Sequence, residues 1–313
     1  MSTCDRDWVK IPYWDAPATG AHIYNLDLYE NAGIGELDWN WTWDDFIQYG
    51  ARLTKDTNGD GVPEVWGTGF NRSQRDPFLH VIHSFGGRWF TNDLDRAAIN
   101  SHESVQALEF LRDLSDGYGI LGSTSSAEFW SGNNASMWTW THHSAAYVLR
   151  AQEQHGFTAR VHPLPMGPGG RQLTRPRGYP FDALVIAKDT PHPDAAWSLV
   201  RFMTTEPEAI AASLQAGTDP ITLVSYREQL SAFLDSLPEQ LSGEWFSTMQ
   251  RMVDDMIAED DAEIFPEKVW SEFDQSGQRE TLLGRFFAGQ ANAREVLASW
   301  ETQLNSIIEA QRQ

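Results

Sequence analysis

Cysteine is nearly absent: Cys4 is the single one in 313 residues, so no disulfide framework exists. It lies in MSTCDRD with no apolar run ahead of it, which does not look like a lipidation site behind a signal peptide. No apolar stretch reaches the roughly 18 residues needed to span a membrane, and the chain as written shows no export signal. Basic residues are also scarce. Lys and Arg number 23 against 44 Asp and Glu, for a net charge of -21. That balance excludes the basic footprint needed for phosphate backbones, so nucleic acid is not an expected partner. It equally disfavours an anionic membrane surface. No internal repeat is visible, and no GxSxG elbow is present. A lone cysteine in an irregular N-terminal stretch makes a poor candidate nucleophile. Many carboxylates occur, as in AEDDAEIF (258–265), but the separation of two of them across a sugar cannot be read from sequence. Nothing positive points to catalysis.

Tryptophan, by contrast, is abundant, with 14 residues beside 16 Phe and 8 Tyr. An indole is awkward core filler because its N–H needs a partner. It suits a ligand that is apolar on its faces and polar at its edges, as a sugar is. Most of these rings belong to the core by expectation, with a minority lining a site. The length fits two domains or one large one.

The stretch DTNGDGVPE (56–64) sets Asp56, Asn58, Asp60 and Glu64 at positions 1, 3, 5 and 9 of a tight loop, with the Val62 carbonyl at 7. Such alternating oxygens wrap a hard cation such as calcium. Gly67 stands where an EF-hand carries its bidentate Glu, so the loop is not an EF-hand. A plain Asp/Asn/Gly turn is the alternative.

Several elements are legible along the chain. HIYNLDLYENAGI (22–34) reads as a strand, a helical turn and a glycine stop. Thr42 and Asp45 form a capping-box pattern for a helix over 42–56 with Phe46, Ile47, Gly50 and Leu53 on one face. VWGTGF (65–70) reads as a strand. Asp76-Pro77 opens a helix with Phe78, Val81, Ile82 and Phe85 inward, ended at Gly86-Gly87. Ser101 caps a long helix bearing Val105, Leu108, Leu111 and Leu114. ASMWTWT (135–141) alternates, which puts Trp138 and Trp140 on one side of a strand. Strands are expected at 159–165 and 183–187, helices from Asp194 and over 206–216. The remainder is mostly helical, with Val296, Leu297, Trp300, Leu304, Ile307 and Ile308 forming a stripe over 292–311. The fold class expected is α/β with a helical C-terminal part.

Other motifs are weaker. GYGILG (117–122) follows a helix rather than a strand, against a nucleotide loop. His142 and His143 are adjacent in a strand pattern and point to opposite faces. His80 and His83 share a helix face but show no third zinc ligand nearby. The three N-x-S/T sequons at Asn40, Asn71 and Asn134 carry no weight.

The order of pieces resembles a known family. IPYW, AHIYNLDLYENAGI, TWDDFIQYGARLTKDTNGDGVPEVWGTGF, HSFGGRWF, FWSGNNASMWTW, VHPLPMGPGG and DTPHPDAAWSLVRFMTTEPEA are together similar to the family 1 extracellular solute-binding proteins of ABC importers for sugars and oligosaccharides. The likeness runs from about residue 9 to 310. It implies a periplasmic-binding-protein type 2 fold, in which two α/β lobes joined by crossing strands hold ligand in the cleft between them. It also implies a binding protein without catalysis, monomeric when complete, working with ABC importer membrane subunits in the periplasm or on the cell surface. Some members carry a structural calcium loop after the TW helix, where Asp56, Asn58, Asp60, Val62 and Glu64 stand. Residues 21–172 and 225–313 are expected to be the second lobe, and 1–20 and 173–224 crossover strands with a remnant of the first. The resemblance then implies that the signal peptide and most of the first lobe are missing. A relative that binds no ligand, or a glycan-processing enzyme, are the alternative functions. The cleft residues implied are Arg75 and Asp76, Trp138 and Trp140, His142 and His143, Tyr179, Phe181 and Asp182, and Trp270 and Phe273, with rings for stacking and Asp, His and Arg for hydroxyls.

Overall fold

A computed structural model describes residues 20–70, 75–123, 125–140, 144–170, 176–177, 186–206, 208–209, 212, 241, 243–259, 263–264 and 266–312. Its centre is a three-stranded antiparallel sheet in the order β2-β1-β3, with β1 (Gly20–Asn25), β2 (Ser136–Trp140) and β3 (Ala159–Pro163). Gly20 pairs with Trp140, His22 with both Trp138 and His162, and Ala21 with Pro163. All six residues of β1 are buried, as expected for a central strand covered on both sides.

Helices cover both faces. One face meets a large cluster that includes Tyr24, Trp41, Phe46, Phe78, Trp89, Phe273 and Trp300. It is carried by α2 (Trp43–Leu53), α3 (Arg75–Ser84), α4 (His102–Asp116) and the C-terminal helices α9 (Glu267–Gln275), α10 (Gln278–Phe287) and α11 (Ala293–Arg312). The other face, from Ala21, Ile23, Met137 and Val161, meets α6 (Ser144–Arg150) and α8 (Glu244–Glu259) through Val148, Leu149, Trp245, Met249 and Met252. The short helices α1 (Leu26–Asn31) and α5 (Ser126–Trp130) join strands to these layers. α7 (Pro193–Thr205) begins with Pro in its first turn and leaves Trp197, Leu199 and Phe202 exposed. Among the described residues no helix is long and apolar enough to cross a membrane.

Local chemistry accounts for the helix limits. The Thr42 hydroxyl accepts the Asp45 N–H at 3.3 Å, and the Asp45 carboxylate accepts the Thr42 N–H at 2.8 Å, completing the capping box of α2. Ser101 caps α4 by accepting the Ser104 N–H at 3.1 Å. α3 stops where Gly86 takes φ 93°, with its N–H bonded to the His83 carbonyl and that of Gly87 to Ile82. The stripe of α11 buries all six residues expected, Val296, Leu297, Trp300, Leu304, Ile307 and Ile308.

Two expectations change. The 65–70 segment makes single bridges, Trp66 to Asn134 and Gly69 to Met137, rather than a continuous ladder. Its glycines explain this, since the segment lies against the backbone of α2: a Cβ on Gly67 would sit 2.5 Å from the Gly50 Cα and carbonyl oxygen. The helix over 42–56 ends at Leu53, and Lys55 instead bridges Val65. Residues 183–185 of the expected ALVIA strand lie outside the described residues, and Ile186 and Ala187 are not in a strand. Much of the 206–216 helix also lies outside them.

Candidate functional site

One end of the central sheet gathers several segments of the chain. β1 starts there at Gly20, β2 ends there at Trp140, and β3 ends there at Pro163. The 65–70 segment runs parallel to β2 toward the same end, bridging Gly69 to Met137, and α3 opens five residues beyond Phe70, at Arg75. Phe70 thus lies beside the edge strand that carries Trp138 and Trp140. β4 (Pro176–Arg177) pairs in parallel with β5 (Glu263–Ile264) as a separate two-stranded unit.

Trp138 lies half-buried on β2, while its neighbours Met137 and Thr139 point into the opposite layer and are buried. The alternation is thus present from Met137 to Thr139. Side chains of Arg75, Asp76 and Trp140 fall outside what the structure describes, as do His142, His143, Tyr179, Phe181 and Asp182 altogether.

Trp270 and Phe273 are corrected. They do not present stacking rings: Phe273 is fully buried and Trp270 nearly so. α9 turns Val269, Trp270 and Phe273 inward against α11, where Trp270 meets Trp89 edge-on at 4.7 Å and Phe273 lies 6.1 Å from Trp300. Their hydrophobic area is spent on the core, which the helical pattern around them permits as readily as a cleft position.

Sequence reasoning passed over the row beside Trp138. His22 is buried between the rings of Tyr24, Trp41 and Phe46, with its Nε2 3.1 Å from the Tyr29 hydroxyl. Burial, and then the neighbouring His162, push its pKa down to about 3. Burial lowers His162 to about 4. Both imidazoles are neutral hydrogen-bonding groups at physiological pH. The signal was present in the period-two run Gly20, His22, Tyr24 of β1.

The 56–64 loop holds itself by its own side chains. The Asp56 carboxylate accepts the N–H groups of Gly59 and Gly61 at 2.6 and 2.8 Å. Asn58 accepts from Asp60, and Asp60 from Val62, both at 2.8 Å. Glu64 accepts the Thr57 N–H and hydroxyl, and these hydrogen bonds hold its carboxyl below the usual carboxylate range. The donor types suit a hard cation, and each carboxylate keeps spare lone pairs. Among the described residues no group of three or more His, Cys, Asp or Glu side chains converges to hold a metal. Likewise His80 and His83, buried on α3, have no third ligand of those types there.

Comparison with known proteins agrees with this architecture. A search of curated proteins gave no match. Among solved structures, the chain is similar to an ABC substrate-binding protein from Listeria monocytogenes in complex with cycloalternan, at 21% identity and a TM-score of 0.68, over 93% of this chain and 70% of that one. It is similar to an ABC transporter solute-binding protein from Thermotoga lettingae bound with α-D-tagatose, at 17% identity and 0.69, over 96% and 72%. It is similar also to maltose-bound MalE3 of T. maritima, at 20% and 0.67, over 96% and 72%. These likenesses show the fold, that of two-lobe periplasmic binding proteins. The profile of the bacterial extracellular solute-binding proteins matches residues 5–210, and the chain belongs to that family.

Proposed function

We propose that this chain is the ligand-capturing component of an ABC importer and that its cargo is a sugar or oligosaccharide. The observation that carries the reading is the shared fold: structures that align over more than nine-tenths of this chain hold cycloalternan, tagatose and maltose. Trp138, half-buried at the sheet end where the segments gather, supplies the kind of ring such ligands stack on. Capture in a cleft calls for binding and release without bond breaking, so no residue is assigned a catalytic role. The importer's membrane subunits are the partner, and the periplasm or outer cell surface is the place of work.

Calcium at Asp56, Asn58, Asp60, Val62 and Glu64 belongs to the same proposal, as a pin for the turn after α2. It is supported by the alternating oxygen donors alone.

Thermal unfolding against a panel of mono- and oligosaccharides tests the reading. A ligand held at about 100 times its Kd adds roughly 2.7 kcal/mol to the folded state. The expected result is a rise in Tm with one carbohydrate class, and that carbohydrate recovered intact. Release of shorter products would instead make the protein a glycan-processing enzyme.

A further inference from the structure

Gly20 is the first residue of β1, at the sheet end described above, and it is crowded from two sides. A Cβ there would lie 2.5 Å from Leu164 Cδ1, 2.7 Å from Trp138 Nε1 and 3.3 Å from Trp138 Cε2. The first two are closer than real Cβ contacts come. The register explains the convergence. Trp138 stands opposite His22, while Gly20 is two residues earlier on the same face of β1. The indole therefore leans along the sheet from its own rank toward the end where β2 and β3 finish. Its pyrrole edge occupies the volume that a side chain at position 20 would fill. Leu164, buried just after β3, closes the space from the other side.

In the rank of Trp138 stands His22, packed against Trp41 at 4.7 Å and stacked near Tyr24 at 5.9 Å. Both neighbours of Trp138 along β2, Met137 and Thr139, are committed to the opposite layer. Over Gly20 the ring meets no side chain of β1.

We infer that Gly20 is a positioning residue for the ligand wall, with its missing side chain setting the tilt of the Trp138 ring. The inference rests on the carbohydrate reading above, in which that ring stacks on ligand. A methyl at position 20 turns the indole away from the sheet end.

The test compares wild type, Gly20→Ala and Leu164→Ala in two measurements. The first is the indole N–H signal of Trp138 in protein labelled with 15N-tryptophan, assigned by its loss in Trp138→Phe. The second is the Kd for maltotriose by titration calorimetry. In Gly20→Ala the Trp138 signal moves, the other tryptophan signals stay, and Kd weakens by about tenfold, the weight of one well-placed ring. Leu164→Ala lowers Tm by opening a cavity at the same spot, yet leaves Gly20 free and Kd unchanged, an outcome that a merely structural role for Gly20 does not predict. If Gly20→Ala fails to fold, Gly20→Ala/Leu164→Ala removes the nearer obstruction and carries the same two readouts. A Trp138 signal that does not move, or an unchanged Kd in Gly20→Ala, overturns the inference and leaves the carbohydrate reading standing. Wild-type protein that binds neither maltotriose nor any other carbohydrate of the panel overturns both.

Discussion

His22 on β1 stands directly opposite His162 on β3, and both imidazoles are buried and held neutral. A third buried histidine, His80 on α3, is lowered to about 3 by burial and then by His83. Around the facing pair lie the hydroxyls of Tyr24 and Tyr29 on the His22 side. Asp38 and Arg251 lie on the His162 side, with opposing effects.

Because folded-state pKa values lie below 6.5, the unfolded chain binds more protons between about pH 3 and 6.5. Stability is therefore full above that window and falls as pH drops through it. Each histidine costs about 1.4 kcal/mol per pH unit, or roughly 2 kcal/mol at pH 5. Urea unfolding at pH 7.5, 6 and 5 should show a steep loss. His22→Gln should flatten that slope whatever it does to stability at pH 7.5. A slope identical to wild type would contradict the buried neutral histidine.

Gly67 touches the backbone of α2 at Gly50 with no side chain between them. Gly67→Ala should cost about 1–3 kcal/mol, because backbone cannot yield as a flexible side-chain end can. Gly243→Ala, where nothing lies within 4 Å, is the matched control and should change little. Equal effects at the two positions in thermal unfolding would deny the close approach.

Phe273→Ala checks the core assignment of α9. Removing a fully buried ring packed on Trp270 and Trp300 should cost about 3–5 kcal/mol. Ligand affinity, measured where the variant is still folded, should be unchanged. A loss of affinity without a loss of stability would return Phe273 to the cleft.

These elements also show what sequence could tell. The capping box at Thr42 and Asp45, the Ser101 cap and the six-residue stripe of α11 were legible because each signal is local and each residue does its work within a few positions. The alternation of Trp138 with buried Met137 and Thr139 was legible for the same reason. The register was not. β1 pairs with strands more than 110 residues away, and a period of two says which face is buried without naming the partner. Trp270 and Phe273 were misplaced because an amphipathic helix shows that one face is apolar, not what that face meets. The 65–70 ladder failed at Gly67 and Gly69, whose role is close approach to Gly50 and Asn134. For the site, the residue types and one strand were readable. Gly20 was not, since a glycine announces its purpose only once its neighbours are in place.

Calcium at the 56–64 loop predicts that chelator lowers Tm and that added calcium restores it, with Asp56→Ala abolishing the difference. Asp56 also accepts two backbone N–H groups, so its loss weakens the turn in either case. The calcium dependence itself is the readout. An identical Tm with chelator and with calcium would leave the loop's internal hydrogen bonds as the whole of its stability.

Carbohydrate capture is the central claim, and titration calorimetry against maltotriose, maltose, tagatose and a cyclic glucan tests it most directly. The account predicts saturable heat at one site for at least one of them, with affinity weakened about tenfold or more in Trp138→Ala. No saturable heat with any of the four, from protein shown to be folded by its cooperative unfolding, would contradict it.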